Sequence, residues 1–192
     1  MNNRLQIREW GIDPSWTLFL DRDGTINERA VGYIEKWESF RFLAQAIEAI
    51  HGFTKLFGRL IIVTNQQGID KELITHEDLK DIHNRMIDVL EYYDGKIDAV
   101  YYEPSLAVYE SPRRKPNIGM ALDAQNDFPE IEFRKSVMIG DTLSDIEFGR
   151  NLGMKTVWID NPMENHNRER ILEICDVKVD SMFTFLSLIN VD

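Results

Sequence analysis

Short apolar segments alternate along this chain with amphipathic segments of helical period, and this alternation constrains the fold more than any other feature. The apolar segments are rich in Val, Ile and Leu, which is typical of strands buried on both faces of a parallel sheet. They predict strands at 16–21, 60–63, 97–102, 136–139, 155–159 and, as an edge strand, 177–179. The segments between them predict helices at 43–57, 75–93, 119–126, 144–152, 167–173 and 182–189. We therefore expect an α/β fold, with a three-layer, doubly wound and mostly parallel sheet covered by helices on both faces.

The size and composition of the chain predict one globular domain spanning residues 1–192. Of these 192 residues, 43% are hydrophobic and 29% are charged, which is enough apolar material for a sizeable core. No apolar run approaches the length of a membrane span, and the first ten residues lack the apolar core of a signal peptide. We expect a cytoplasmic protein without a membrane partner, as a monomer or a small homo-oligomer.

The charge and the cysteine count exclude or disfavour several classes of protein. The net charge is −11, whereas proteins that wrap phosphate backbones usually carry a basic face, so nucleic acid is disfavoured as a partner. Cys175 is the only cysteine, which excludes an internal disulfide and a cysteine-based zinc site within one chain.

The first predicted strand ends in two carboxylates, Asp21 and Asp23, followed by Gly24. Two carboxylates so close together at the end of a buried strand repel each other, and a hard cation such as Mg²⁺ relieves this repulsion. An ordinary turn is the alternative for this short pattern. A calcium loop of the EF-hand type does not fit, because its glycine stands at the sixth position and Gly24 stands at the fourth.

Other predicted strands are also followed by residues whose side chains can bind a ligand or take part in a reaction. These residues are Thr64 and Asn65 after the second strand, Arg114 and Lys115 in the loop after the third, and Asp141 and Asp145 after the fourth. Ligands of open α/β sheets bind outside the carboxyl ends of the strands, so we expect these side chains to converge on one site.

The residue types at these strand ends suit phosphoryl transfer. Asp21 is the candidate nucleophile, and Mg²⁺ would be held by Asp21, Asp141 and the backbone carbonyl of Asp23. Thr64, Asn65 and Lys115 are the candidate phosphate-binding residues. Asp23 is the candidate general acid and base, and this role predicts that its pKa is raised.

Together these motifs resemble those of the haloacid dehalogenase (HAD) superfamily of phosphatases. They are Asp21-Arg-Asp23-Gly-Thr25, Val63-Thr64-Asn65-Gln-Gln-Gly68, Arg114-Lys115-Pro116 and Gly140-Asp141-Thr-Leu-Ser-Asp145. Within the superfamily, the chain resembles the branch that contains D-glycero-D-manno-heptose 1,7-bisphosphate phosphatase and histidinol-phosphate phosphatase. The resemblance implies a HAD-like Rossmannoid fold and a Mg²⁺-dependent phosphatase that acts through an aspartyl-phosphate on a small phosphorylated metabolite.

The resemblance also concerns the loops around the site. That branch often carries a zinc-binding loop of Cys and His after the third strand, but Glu103 to Leu106 begin a loop here without either residue type, so zinc is not expected. The intervals between the motifs are too short for a separate cap domain. By resemblance, Arg114 and the loop 27–37, beginning at Asn27, are the candidates that face the substrate.

Simpler interpretations remain for several of these residues. Thr64 fits a strand by propensity alone, and Arg114 and Lys115 could belong to a solvated charge run. Asp145 is expected to stabilise the start of its helix and to lie near the metal. His83 is expected on a helix surface.

The leading function is hydrolysis of a sugar bisphosphate, followed by hydrolysis of histidinol phosphate. A nucleic-acid 3′-phosphatase is disfavoured by the acidic charge. The non-enzymatic alternative is a binding protein with a vestigial site.

Overall fold

The computed structural model describes residues 7–189, apart from the side chain of residue 165. Its centre is a six-stranded sheet of β1 (Thr17–Leu20), β2 (Arg59–Asn65), β3 (Ala99–Glu103), β4 (Ser136–Gly140), β5 (Lys155–Ile159) and β6 (Val177–Val179). The strand order is β3-β2-β1-β4-β5-β6, and all five pairings are parallel. The predicted doubly wound α/β fold is confirmed. The predicted domain limits, residues 1 and 192, lie outside the described residues.

Helices cover both faces of the sheet within the described part of the chain. They are α1 (Ala46–Leu56), α2 (His76–Tyr92), α3 (Gly119–Asp127), α4 (Leu143–Leu152), α5 (Arg168–Ile174) and α6 (Met182–Ile189). Alternate strand residues face opposite layers, so Leu18 and Leu20 pack with α1, α2 and α6, whereas Phe19 packs with α3 and α4. Strand and helix patterning therefore produce the three predicted layers. No helix among residues 7–189 combines the length and the apolar character that crossing a bilayer requires.

Several boundaries differ from the predicted ones by one to three residues, and two of these differences have a clear local cause. Helix α1 begins at Ala46, three residues later than predicted, because Gln45 adopts a left-handed conformation with φ of 60°. Strand β2 continues to Asn65, because Thr64 and Asn65 pair with Tyr102 and Glu103 of β3. This extension carries both polar residues to the edge where β1 ends.

The order of the strands decides where a site can form. Strands β1 to β3 are added in one direction across the sheet and β4 to β6 in the other, so the order of connection reverses between β1 and β4. These two strands are parallel neighbours, although 115 positions separate Asp21 from Ser136. A parallel sheet opens a crevice at such a switch point, outside the carboxyl ends of the strands. β1 and β4 both end at this crevice.

Candidate active site

Lys115 is buried at the centre of the crevice and connects two of the predicted carboxylates. Its Nζ donates to Asp21 Oδ1 and to the Val63 carbonyl, both at 2.6 Å, and lies 2.6 Å from Asp145 Oδ1. The side chains of Lys115 and Asp21 are 2% and 8% exposed, so the ion pair is shielded from solvent. Asp21 is in turn fixed at the backbone, where its N–H donates to the Ile139 carbonyl of β4 at 2.9 Å.

Asp21, Asp141 and Asp145 form a cluster of buried carboxylates. One oxygen of each lies within 4.8 Å of the others. Burial raises the pKa of Asp21 to about 7, with Lys115 opposing the shift and the other carboxylates adding to it. Burial likewise raises the pKa of Asp141 to about 6, against the stabilising contact of Arg29. An all-oxygen donor set that includes two carboxyls with raised pKa values fits a hard divalent cation, which would favour their charged forms.

Asp141 is held by residues that the sequence analysis did not identify. Arg29 donates from Nε and from Nη2 to the two carboxylate oxygens, each at 2.7 Å. Asn161 Nδ2 donates to Oδ2 at 2.6 Å, and the indole N–H of Trp158 donates to the Asp141 carbonyl at 3.1 Å. Arg29 lies 112 positions from Asp141 in an irregular loop, where no sequence period indicates a partner.

Asp145 combines the two roles expected for it. It stands at the third position of α4 in a capping box, where its Oδ2 accepts from the Thr142 N–H at 3.0 Å and from the Thr142 hydroxyl at 2.6 Å. Its Oδ1 faces Lys115. Helix capping therefore fixes the carboxylate that balances the lysine.

Asp23 is surrounded by donors, contrary to the environment predicted for it. Arg22 Nη2 donates to both carboxylate oxygens at 2.9 Å, Asn27 Nδ2 donates to Oδ1 at 2.9 Å, and Gln66 Nε2 donates to Oδ2 at 2.7 Å. Burial would raise the pKa of Asp23, but the Arg22 charge and these hydrogen bonds outweigh it and lower the pKa. The predicted raised pKa is wrong for the free protein, because the prediction did not include Arg22.

His83 was predicted on a helix surface, and this prediction is also wrong. The residue is 6% exposed, and its Nε2 accepts from Arg22 Nη1 at 3.0 Å. Burial and the neighbouring Arg22 charge lower the pKa of His83 to about 3, so the ring is neutral at physiological pH. His83 lies four residues after the buried Leu79, and this spacing was the signal for an inward-facing position.

Thr64 and Asn65 lie at the end of β2, as predicted, but their side chains act differently. The Thr64 hydroxyl is buried beside the cavity and accepts from Gln66 Nε2 at 2.8 Å. Asn65 forms two hydrogen bonds to the Lys115 backbone, from Nδ2 to the carbonyl and from the Lys115 N–H to Oδ1, both at 3.1 Å. The Asn65 amide therefore anchors the lysine backbone, and Asn65 also lines the cavity, so its contact with a phosphate stays a prediction.

A cavity of about 390 Å³ opens above these groups. Arg114 lines it, as predicted for a residue that faces the substrate, together with Arg29, Tyr33 and Gln67. Asn27 does not: its side chain is fully buried and donates to Asp23 and to the Glu28 carbonyl. Asn27 is thus not part of the cavity lining in this structure, although later residues of the same loop are, and its contact with the substrate stays a prediction.

Comparisons with known proteins agree with this geometry. A family model described as HAD-hydrolase-like matches residues 112–173. The chain is 34% identical over 173 residues to D-glycero-D-manno-heptose-1,7-bisphosphate 7-phosphatase of Chlorobaculum tepidum, with coverage of 84% of this chain and 85% of that protein. It is 40% identical over 147 residues to D-glycero-alpha-D-manno-heptose-1,7-bisphosphate 7-phosphatase of Burkholderia mallei, with coverage of 72% and 76%.

A solved structure shows the same fold. The D,D-heptose 1,7-bisphosphate phosphatase of B. bronchiseptica, solved with magnesium and phosphate, superposes with a TM-score of 0.79 at 20% identity and covers 90% of this chain and 96% of that one. Sequence similarity over most of the chain, together with this fold, shows that the protein belongs to the HAD-like hydrolase family and is a phosphatase of that family.

Proposed function

We propose that this protein is a Mg²⁺-dependent phosphomonoester hydrolase that acts on a sugar bisphosphate such as D-glycero-D-manno-heptose 1,7-bisphosphate. The observation that carries the proposal is the buried group of Asp21, Lys115, Asp141 and Asp145, of which Asp21, Lys115 and Asp145 line a cavity of about 390 Å³. This arrangement combines a carboxylate nucleophile, a fixed cation and an oxygen-rich metal site.

In this proposal Asp21 attacks the phosphorus of the substrate. A bond forms between its carboxylate oxygen and phosphorus while the bond to the ester oxygen breaks, which gives an aspartyl-phosphate. Lys115 and the Thr64 hydroxyl interact with the phosphoryl oxygens as charge accumulates on them. Water then cleaves the aspartyl-phosphate to release inorganic phosphate and regenerate Asp21.

Asp23 provides the proton transfers of both steps. It protonates the departing ester oxygen and later takes a proton from the attacking water. Its lowered pKa keeps it ionised in the free protein. The negative charge of a bound phosphate raises the pKa of a neighbouring carboxyl, so the protonated form of Asp23 is tied to substrate binding.

Asp21, Asp141 and the backbone carbonyl of Asp23 are the residues that would hold Mg²⁺. The bound cation supplies positive charge that stabilises the phosphoryl oxygens in the transition state. Asp145 accepts from Thr142 and pairs with Lys115, and in this proposal it supports the site through the lysine.

The substrate class rests on the relatives and on the shape of the site. The Chlorobaculum and Burkholderia proteins are named as heptose bisphosphate phosphatases. The cavity is large enough for a sugar phosphate, and Arg114 provides positive charge in its lining for a second anionic group. We further propose that the chain acts as a single domain, in monomers or small homo-oligomers.

The test is an assay of phosphate release from sugar phosphates, sugar bisphosphates, histidinol phosphate and a 3′-phosphorylated oligonucleotide. Each compound is incubated with Mg²⁺ or with a chelator, using the wild type, Asp21→Asn and Asp98→Asn. Asp98 is a buried carboxylate paired with Arg59 and Lys96, away from the cavity, and serves as the control. We expect Mg²⁺-dependent release from a sugar bisphosphate that is lost only in Asp21→Asn. Release that persists in Asp21→Asn would refute the aspartyl-phosphate mechanism, and preferred turnover of the oligonucleotide would refute the substrate class.

A further inference from the structure

The loop between β3 and α3 supplies two cations to the cavity, and the structure anchors them separately. Lys115 is fixed by two backbone hydrogen bonds with the Asn65 side chain and by the Val63 carbonyl, and both of these residues belong to β2. The Arg114 guanidinium has other contacts: Nη1 donates to the Ser105 carbonyl at 2.9 Å, and Nη2 lies 3.5 Å from Gln67 Oε1. The position of Arg114 therefore depends mainly on the start of the loop.

A polar brace of Glu103, Ser105 and Arg113 fixes the start of this loop. Glu103 is the last residue of β3 and is 3% exposed. Its Oε1 accepts from the Ser105 N–H at 3.1 Å, and its Oε2 accepts from Arg113 Nε at 3.2 Å. Because one carboxylate holds both residues, the two ends of the loop are tied to the end of the strand.

Arg113 extends the brace to the neighbouring helix. Its Nη1 pairs with Asp123 of α3, and its Nη2 donates to the Tyr102 carbonyl at 3.3 Å. The planar guanidinium thus ties the loop to β3 and to α3 through three separate acceptors, which a lysine at this position could not reproduce.

Ser105 connects the brace to Arg114. Its N–H is held by Glu103, and its carbonyl accepts from Arg114, so the peptide group transmits the position of the buried glutamate to the guanidinium. Within residues 7–189, Arg114 forms no ion pair with a carboxylate, although it lines the cavity beside Tyr33 and Gln67. An arginine in this state can bind an anionic or hydroxyl-bearing part of a ligand without breaking an existing ion pair.

We propose that Glu103 and Arg113 are positioning residues that aim Arg114 into the cavity, and so set the affinity for the part of the substrate beyond the transferred phosphate. The inference rests on the proposed phosphatase function. Because Lys115 has its own anchors on β2, loss of the brace weakens substrate binding and leaves the chemical step nearly intact.

A double-mutant cycle with Glu103→Gln and Arg114→Ala tests this proposal. Steady-state kinetics with the best sugar bisphosphate should show that Arg114→Ala raises KM about tenfold or more, because a charged hydrogen bond is lost. Glu103→Gln keeps an oxygen for Ser105 but breaks the pair with Arg113. We expect it to raise KM about threefold to tenfold, with kcat within about twofold of wild type.

The decisive result is the double variant. If Glu103 acts through Arg114, adding Glu103→Gln to Arg114→Ala should change KM by less than about twofold, since interacting residues are not additive. Additive effects on KM would mean that the brace does not act through Arg114. An unchanged KM in Arg114→Ala would mean that Arg114 does not contribute to substrate binding. Either result would overturn this proposal. The phosphatase mechanism is tested separately by Asp21→Asn, so failure of one proposal can be distinguished from failure of the other.

A second measurement does not depend on turnover. Amide hydrogen exchange at Ser105 and along 104–114 should accelerate in Glu103→Gln and in Arg113→Lys. Asp98→Asn is the matched control, because Asp98 is a buried, ion-paired carboxylate just before the opposite end of β3. The proposal that Glu103 fixes the loop would be overturned if exchange along 104–114 were unchanged in Glu103→Gln. It would also be overturned if exchange there accelerated equally in Asp98→Asn.

Discussion

His83 should make the stability of this protein fall as the pH decreases below about 6.5, and replacing it should remove that loss. The ring is buried against Arg22, and burial, followed by the Arg22 charge, lowers its pKa from 6.5 to about 3. Below pH 6.5 the unfolded chain binds a proton at His83 that the folded protein does not. Because protons then favour the unfolded state, the free energy of unfolding decreases with falling pH.

The size of the effect follows from the two pKa values. One proton bound only by the unfolded state changes the free energy of unfolding by about 1.4 kcal/mol per pH unit. Because pH 5 lies about 1.5 units below the unfolded value, His83 should cost about 2 kcal/mol at pH 5 relative to pH 8. The folded value of about 3 is far enough below pH 5 that the result depends mainly on the unfolded pKa.

Urea denaturation of the wild type and of His83→Gln at pH 5, 6, 7 and 8, with chelator present, measures this effect. Glutamine can still accept a hydrogen bond from Arg22 but does not titrate. Asp21 and Asp141, whose pKa values are raised, add their own pH dependence, which is common to both proteins and cancels in the difference.

The control is Ile82→Val, which removes a methylene from the fully buried neighbour on α2. It should lower stability by about 0.5–1.5 kcal/mol at every pH, without changing the pH dependence. If His83→Gln shows the same change between pH 8 and pH 5 as wild type, the buried neutral histidine is not the cause and the reasoning is refuted.

Two further predictions concern the proposed metal site. Gly24 has φ of +88°, and a Cβ there would overlap the Asp141 carboxylate, so Gly24→Ala should cost roughly 1–3 kcal/mol in thermal unfolding and sharply reduce phosphate release. Gly11→Ala, at φ of +65° with open space around it, controls for the backbone conformation alone, and an equal loss of activity there would contradict the steric argument. Because the raised pKa values of Asp21 and Asp141 let protons compete with a cation, Mg²⁺ affinity measured calorimetrically without substrate should rise about tenfold or more from pH 5.5 to pH 7.5. Equal affinity at both pH values would show that these carboxylates do not hold the ion.

The sequence predicted the positions of the strands and helices closely because their patterns are local. The predicted strand at 155–159 and the predicted helix at 182–189 agree with the observed β5 and α6 to the residue. The edge strand at 177–179 is also confirmed. Periods of two and of 3.6 residues report which face of an element is buried, and this information is complete within one segment.

The main candidates at the site were also predictable, for a topological reason. Asp21, Lys115, Asp141 and Asp145 meet because each follows a parallel strand, and the carboxyl ends of parallel strands share one edge of the sheet. The order of strands and helices was enough to predict that these residues lie close together, although 94 positions separate Asp21 from Lys115.

Tertiary structure alone decided how these groups are held. The contact of Arg29 with Asp141 spans 112 positions, and that of Arg22 with His83 spans 61, so neither follows from a local period. Both involve long side chains that sequence patterns place on the surface, where charged groups are ordinarily solvated. They are directed inward because buried carboxylates require donors once the sheet has excluded water. The sequence therefore determined the elements and the edge where the site forms, whereas the folded chain determined which side chains neutralise, orient and support it.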